Sequence, residues 1–159
     1  PYQKGFSGLK EQDHQLIAWA LQATNLMDLK DRTLTTLSGG QQQRVWIAMA
    51  LAQDTDILIL DEPITFLDPA HQLEILELLQ EINRQGKTIL MTIHDLNHAS
   101  RFSDYLLGMK KGQLVFQGTP KEMFTADTLL NLFDIQATFA TLPNSDKPLV
   151  IAYDLVKEH

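Results

Sequence analysis

Two adjacent carboxylates, Asp61 and Glu62, directly follow "DILIL", the short and mainly apolar run at residues 56–60. A run of this length between polar residues predicts a strand of a parallel sheet, buried on both faces. Ligands of open α/β sheets bind beyond the carboxyl ends of such strands. One carboxylate there can hold Mg²⁺, directly or through water, and its neighbour can polarise an attacking water. The alternative is an acidic pair in a solvated turn.

A second group of residues, "LSGGQQQR" at 37–44, has the chemistry of an anion site. Ser38 can cap the helix predicted over residues 40–52, which leaves backbone N–H groups at the positive end of the helix dipole. Gly39 and Gly40 let an anion approach the backbone closely. The alternative is an ordinary N-cap followed by a solvated helix face.

A histidine, His94, ends a second apolar run at residues 87–94. If the two runs are neighbouring strands, His94 lies level with Asp61 and Glu62, and its imidazole can contact a γ-phosphate. A packed or capping histidine is the alternative. Three other histidines are predicted to lie on solvated helix faces: His14, His71 and His98.

The elements that would position these residues are helical before residue 53 and α/β after it. The first predicted helix is entered at Ser7 and Gly8, and a later helix is capped by Asp68 and ended by Gly86. Further predicted elements are a short helix at 95–103, an antiparallel hairpin at 104–118 with a Lys-Gly turn, short helices at 119–124 and 126–133, and a strand at 149–153.

Composition narrows the classes of function. The 159 residues carry a formal net charge of −7, which disfavours a nucleic-acid partner. Cysteine is absent, which excludes disulfides and thiolate metal sites. Hydrophobic residues make up 44% and charged residues 21%, as in soluble globular proteins, and no apolar run approaches the roughly 18 residues that span a bilayer.

The motifs taken in order, "LSGGQQQR", "ILILDEP", "FLD" and "TIHD", resemble the ATP-binding subunits of ABC transporters. Residues 37–41 match the signature motif, Glu62 falls at the catalytic glutamate of Walker B, residues 66–68 match the D-loop, and His94 falls at the switch histidine. The resemblance implies an α/β fold, a partial P-loop NTPase (ABC ATPase) fold with a helical lobe and an incomplete parallel sheet.

The resemblance also implies ATP and Mg²⁺ as cofactors and a second ATP-binding subunit in a head-to-tail homodimer. Each ATP would lie between the Walker A loop of one subunit and the signature motif of the other. Asp61 would bind Mg²⁺ through water, Glu62 would act on the attacking water, and His94 would contact the γ-phosphate. Nucleotide-binding or interface-crossing roles fall to Ser38, Gly39, Gly40, Gln41 and Asp68.

Longer stretches, such as "HDLNHASRFSDYLLGMKKGQLVFQGTPKEMF", resemble importers of the iron–siderophore, haem and cobalamin type. The stretch at residues 44–63 resembles the ferrichrome/iron(III)-siderophore ATPases in particular. This implies permease partners, an indirect link to a substrate-binding protein, no nucleic acid, and a peripheral location on the cytoplasmic face of the membrane. Two alternatives are a non-transport ABC ATPase of the DNA-repair or translation type and a non-catalytic regulatory fragment.

A phosphate loop of the form G-x-x-x-x-G-K-[ST] does not occur in the sequence. We therefore expect the C-terminal portion of a longer subunit, with a helical subdomain at 1–53, the C-terminal part of a RecA-like ATPase core at 54–136 and a tail at 137–159. Alone, it should lack ATPase activity. In the family fold the Walker A strand lies between the "TILMTI" and "YLLGM" strands, so its absence should leave exposed strand edges that favour self-association or local disorder.

Overall fold

The computed structural model describes residues 10–141 and 145–156, and the chain divides into two compact units, residues 1–92 and 93–159. The predicted helix entry at Ser7 and Gly8 lies outside the described residues. The predicted division of the chain into 1–53, 54–136 and 137–159 stays a prediction.

Unit 1 alternates helices and strands after a helical start. Its elements are α1 Glu11–Ala23, α2 Gly39–Leu51, β1 Ile57–Leu60, α3 Pro69–Arg84 and β2 Thr88–Met91, with single 3-10 turns at Met27–Leu29 and Leu34–Thr36. Helix α1 begins where the Asp13 carboxylate accepts a hydrogen bond from the Lys10 N–H, at 2.8 Å. Helix α3 has Pro69 in its first turn and is followed by Gly86, whose φ is 99°. These boundaries confirm the predicted start and end of α3.

Strands β1 and β2 pair in parallel, with Ile57 opposite Thr88 and Leu60 opposite Met91. The predicted strand–helix–strand unit is therefore confirmed. The apolar stripe of α3 is buried within unit 1: Ile75, Leu76, Leu78, Leu79 and Ile82. Burying each of these side chains contributes about 2 kcal/mol to stability.

The prediction that β1 is buried on both faces is wrong. Leu58 is buried, but the side chains of Ile57 and Ile59 on the opposite face are 57% and 75% exposed. Successive side chains of a strand point to opposite faces, and within the described part of the chain only one face of this two-stranded sheet is covered. The apolar side chains of Ile57 and Ile59 therefore lie on a face of the sheet that no described residue covers.

Unit 2 contains short helices and two antiparallel hairpins. Its elements are α4 Leu96–Phe102, β3 Leu106–Lys110, β4 Gln113–Gly118, α5 Pro120–Met123, α6 Ala126–Phe133, β5 Ile135–Thr141 and β6 Pro148–Leu155. The predicted hairpin is confirmed, because β3 and β4 pair antiparallel around Lys111 and Gly112. Both turn residues have positive φ, 50° and 77°, as a two-residue type I′ turn requires.

The second hairpin joins β5 to β6, with Ile135 opposite Leu155. The predicted strand at 149–153 is confirmed within β6, whereas β5 was not predicted. The side chain of Asn97 fastens α4 to this hairpin: it donates to the Val150 carbonyl at 3.0 Å and accepts from the Val150 N–H at 2.8 Å. The core of the unit consists of Ala99, Leu106, Met123, Phe124, Leu129, Leu132, Ile135 and Val150.

No helix in the described ranges is both long and apolar enough to cross a membrane.

Candidate functional site

The first candidate group lies where β1 and β2 end. The Thr92 N–H donates to the Leu60 carbonyl at 3.1 Å, so residues that follow the two strands stay adjacent. The Thr92 hydroxyl donates to Oδ1 of Asp61 at 2.8 Å and accepts from the Glu62 N–H at 2.7 Å. The structure thus brings both predicted carboxylates to the carboxyl end of a parallel sheet, together with a hydroxyl that was not predicted.

The backbone at Glu62 adopts a left-handed conformation, with φ of 47°. This region is unfavourable for a residue with a side chain, and such residues cluster at functional sites. The Glu62 carbonyl accepts from the Thr65 N–H at 3.2 Å, and Pro63 and Ile64 are buried directly after it. The turn is therefore anchored by apolar packing, while Asp61 and Glu62 are exposed.

The second candidate group is the N-terminus of α2. The Ser38 hydroxyl accepts from the Gln41 N–H at 3.3 Å, and the Gln41 side-chain oxygen accepts from the Ser38 N–H at 3.0 Å. This capping box leaves the hydroxyl proton of Ser38 available to donate. Within the described residues the N–H groups of Gly39 and Gly40 donate no hydrogen bond, as the geometry of a first helical turn dictates. Three donors at one helix N-terminus suit an anion.

Asp68 and His71 form a third group at the start of α3. One Asp68 oxygen accepts from the His71 N–H at 3.0 Å, and the other lies 2.7 Å from the Nδ1 of the His71 ring. The ring also packs against Gly40, where a Cβ atom would lie only 2.6 Å from the ring's Cδ2. His71 thus joins the capping aspartate of α3 to the N-terminus of α2. The predicted solvated helix face is confirmed, since the His71 side chain is 42% exposed, but its contacts with Asp68 and Gly40 were not predicted.

These hydrogen bonds act on the Asp68 carboxylate. The bond from the His71 N–H and then the bond from the His71 ring hold the pKa of Asp68 below its ordinary value, because both favour the ionised form. Asp68 therefore remains charged in the folded protein.

His94 lies at the beginning of unit 2, two residues beyond Thr92, and is exposed. His14 is exposed on α1, as predicted. The same prediction for His98 is wrong, since its side chain is only 20% exposed and its ring meets the Phe102 ring edge-on at 6.1 Å.

Sequence reasoning missed Thr92 and His71. A partial signal existed for Thr92, because it lies near the end of the second apolar run, but its place opposite Asp61 follows from the strand register that only the structure gives. Nothing comparable existed for His71, whose partner Gly40 lies 31 residues earlier and becomes a neighbour only when α2 and α3 pack.

The geometry of the first group fits Mg²⁺ bound jointly with a phosphate. In the parts of the chain that the structure describes, no cluster of three or more ligating His, Cys, Asp or Glu side chains occurs. Mg²⁺ commonly takes one or two carboxylates and completes its shell with water and substrate phosphates. The exposed Asp61 carboxylate supplies a ligand of that kind.

Comparisons with known proteins agree with this geometry. The sequence profile described as "ABC transporter" matches residues 3–65. The chain is 53% identical to the iron(3+)-hydroxamate import ATP-binding protein FhuC of Bacillus subtilis strain 168, over 99% of this chain and 59% of that protein. It is 43% identical to the ferric enterobactin transport ATP-binding protein FepC of Escherichia coli K12, over 95% and 56%. The chain thus spans little more than half the length of these relatives.

Solved structures give the same result. A metal-chelate type ABC transporter in an inward-facing conformation matches with a TM-score of 0.82 at 30% identity, over 93% of this chain and 60% of that one. The protein cbiO1 of Clostridium perfringens, part of the ABC transporter complex cbiONQ, matches with a TM-score of 0.70 at 36% identity, over 79% and 51%. The expected α/β partial P-loop NTPase fold is thereby confirmed, and the chain belongs to the ABC transporter family of ATP-binding proteins.

Proposed function

We propose that this chain is the signature, Walker B and D-loop portion of an ATP-binding subunit that powers import of an iron–siderophore complex. The observation that carries the proposal is the adjacent pair Asp61 and Glu62, held at the end of a parallel strand in a chain 53% identical to a hydroxamate-importer ATPase. Relatives named for enterobactin, petrobactin and other siderophore systems support the same substrate class.

At the ends of β1 and β2, the exposed carboxylates of Asp61 and Glu62 have different roles. Asp61, whose Oδ1 accepts from the Thr92 hydroxyl, would hold Mg²⁺ through water. Glu62 would orient and polarise the attacking water, and His94 would contact the γ-phosphate. Bound ATP and Mg²⁺ supply the transferable phosphoryl group and the charge that neutralises it.

At the N-terminus of α2, the available donors serve an ATP held by a second subunit. The Ser38 hydroxyl and the N–H groups of Gly39 and Gly40 bind the phosphate, and the Gln41 side chain keeps the serine in its capping geometry. Support for a head-to-tail homodimer comes from the loop before Asp68, where the Phe66 side chain is fully exposed at a φ of 65°. An exposed aromatic ring beside a charged cap suits burial at an interface.

The remaining partners follow from this function. The subunit docks on permease subunits at the cytoplasmic face of the membrane, is linked through them to a substrate-binding protein, and has no nucleic-acid partner. The 159-residue chain alone has no ATPase activity, because it contains no phosphate loop to hold the β- and γ-phosphates.

The test compares ATP hydrolysis by the full-length protein, its Glu62→Gln variant and the 159-residue chain. We expect Mg²⁺-dependent turnover for the full-length protein and none for the other two. Glu77→Gln, the same change at an exposed site on α3, serves as the control and should retain turnover. Turnover that survives Glu62→Gln would refute the catalytic assignment, and turnover by the chain alone would refute its dependence on the phosphate loop. Transport assays in vesicles with ferrichrome, haem and cobalamin then test the substrate class.

A further inference from the structure

One hydroxyl, that of Thr92, forms hydrogen bonds with both carboxylate residues. It donates its only proton to Oδ1 of Asp61 at 2.8 Å and accepts the Glu62 N–H at 2.7 Å. A hydroxyl has one donor and two acceptor positions, so both bonds form at the same time. Asp61, the metal-binding candidate, and Glu62, the water-activating candidate, therefore both bond to the residue that follows β2.

The fold dictates where this hydroxyl lies. Leu60 and Met91 are paired at the ends of β1 and β2, and the Thr92 N–H extends the ladder by bonding the Leu60 carbonyl. Thr92 is β-branched, which suits an extended backbone and restricts the side chain to few rotamers. The oxygen is thus placed by the strand pairing rather than by a flexible loop.

The hydroxyl meets Glu62 where the backbone most needs support. A left-handed φ of 47° is disfavoured for glutamate and persists only when surrounding contacts hold it. The bond from the Glu62 N–H to Thr92 is such a contact. Its loss would free the turn to relax and would move the Glu62 carboxylate along with the backbone.

We propose that Thr92 is a positioning residue for hydrolysis, acting through Asp61 and Glu62. The inference rests on the proposed function. Thr92 orients the Asp61 carboxylate that would hold Mg²⁺, and it fixes the backbone that carries Glu62. Because it sets the geometry of the reacting groups, its loss lowers kcat more than it raises the KM for ATP.

The experiment measures steady-state ATP hydrolysis by the full-length protein with Thr92→Val and Thr92→Ser. Valine keeps the β-branched shape without the hydroxyl, and serine keeps the hydroxyl without the methyl group. We expect Thr92→Val to lower kcat by about 10- to 100-fold, the usual effect of removing a hydrogen-bonded support of a metal site. Thr92→Ser should stay within a few-fold of wild type.

The control is Thr88→Val, the same change at the exposed start of β2, which should leave kcat unchanged. A purely structural role predicts the opposite order, with valine active and serine impaired, and that order would overturn the inference. So would wild-type kcat in Thr92→Val when Glu62→Gln is inactive, a result that leaves the proposed function intact. Absence of hydrolysis by the wild-type protein would instead overturn both.

Discussion

At the scale of single residues, Asp68 shows how nearby hydrogen-bond donors lower the pKa of a carboxylate. Its carboxylate accepts from the His71 N–H and from the His71 ring, and these bonds lower its pKa in the folded state. A carboxylate whose pKa is lowered by folding stabilises the folded protein above its unfolded-state pKa. That contribution is lost as the pH falls through the lower folded-state pKa.

This linkage predicts the behaviour of Asp68→Asn, which keeps a helix cap but removes the charge. We expect a smaller free energy of unfolding than wild type at pH 7. The difference should begin to narrow as the pH falls below about 4, because the carboxylate of the unfolded chain is protonated there before that of the folded protein. Urea unfolding at pH 7 and pH 3 measures it. Glu77→Gln, on the exposed face of α3, is the control; an equal gap at both pH values would contradict the charge-based explanation.

The pair Asp61 and Glu62 was identified from the sequence because their spacing after an apolar run carries the chemistry directly. The bonds that hold them were not predicted, because they depend on which side chain the neighbouring strand presents. The same limit applied to His71, since nothing along the chain indicates that its ring fills the space beside Gly40.

At the scale of elements, the contact of α2 with α3 depends on the missing side chain at Gly40. A Cβ there would lie 2.6 Å from Cδ2 of a ring that Asp68 holds in place. We expect Gly40→Ala to lower the free energy of unfolding by about 1 to 3 kcal/mol, the usual cost of overpacking. Urea unfolding measures the change.

The neighbouring position gives a matched control for this effect. At Gly39 a new Cβ would meet only Leu67 Cδ2, at an ordinary 3.8 Å, so Gly39→Ala should be close to neutral. The double variant Gly40→Ala/His71→Ala should recover most of the lost stability, because the clashing ring is gone. If Gly39→Ala were as damaging as Gly40→Ala, contact with the His71 ring would not explain the loss, because alanine has a higher helix propensity than glycine at both positions.

Elements were predictable from the sequence where local chemistry determines them. The Lys-Gly turn between β3 and β4 and the Asp-Pro start of α3 are examples. Strand β5 was missed although Ile135, Ala137 and Phe139 occupy every second position, because its strand conformation depends on pairing with β6, which local sequence does not reveal. The prediction that both faces of β1 are buried was wrong. A hydrophobic strand face indicates that something must cover it, but not that the same chain supplies the cover.

At the scale of the whole molecule, the uncovered face of the β1–β2 sheet favours self-association. Ile57, Ile59 and Leu90 are between 48% and 75% exposed, on neighbouring strands. Apolar strands with uncovered faces and edges are prone to pair with other copies. The 159-residue chain should therefore form oligomers whose proportion rises with concentration.

Replacing Ile59 by Lys should shift this equilibrium toward the monomer, because a charge is costly to bury at such a contact. Light scattering across a concentration series measures the shift. Gln12→Lys adds the same charge on an exposed face of α1 and should leave association unchanged. A wild-type chain that stays monomeric throughout the series would refute the prediction.

The left-handed backbone at position 62 has a consequence for how this protein can change over evolutionary time. Glycine would adopt that conformation without the roughly 1 to 2 kcal/mol that a side chain costs there, yet glycine has no carboxylate. Selection for stability alone would therefore favour glycine at this site, and selection for hydrolysis would keep glutamate. In a lineage that no longer needed hydrolysis, replacing Glu62 by glycine would be stabilising, so we expect this carboxylate to be among the first catalytic groups lost.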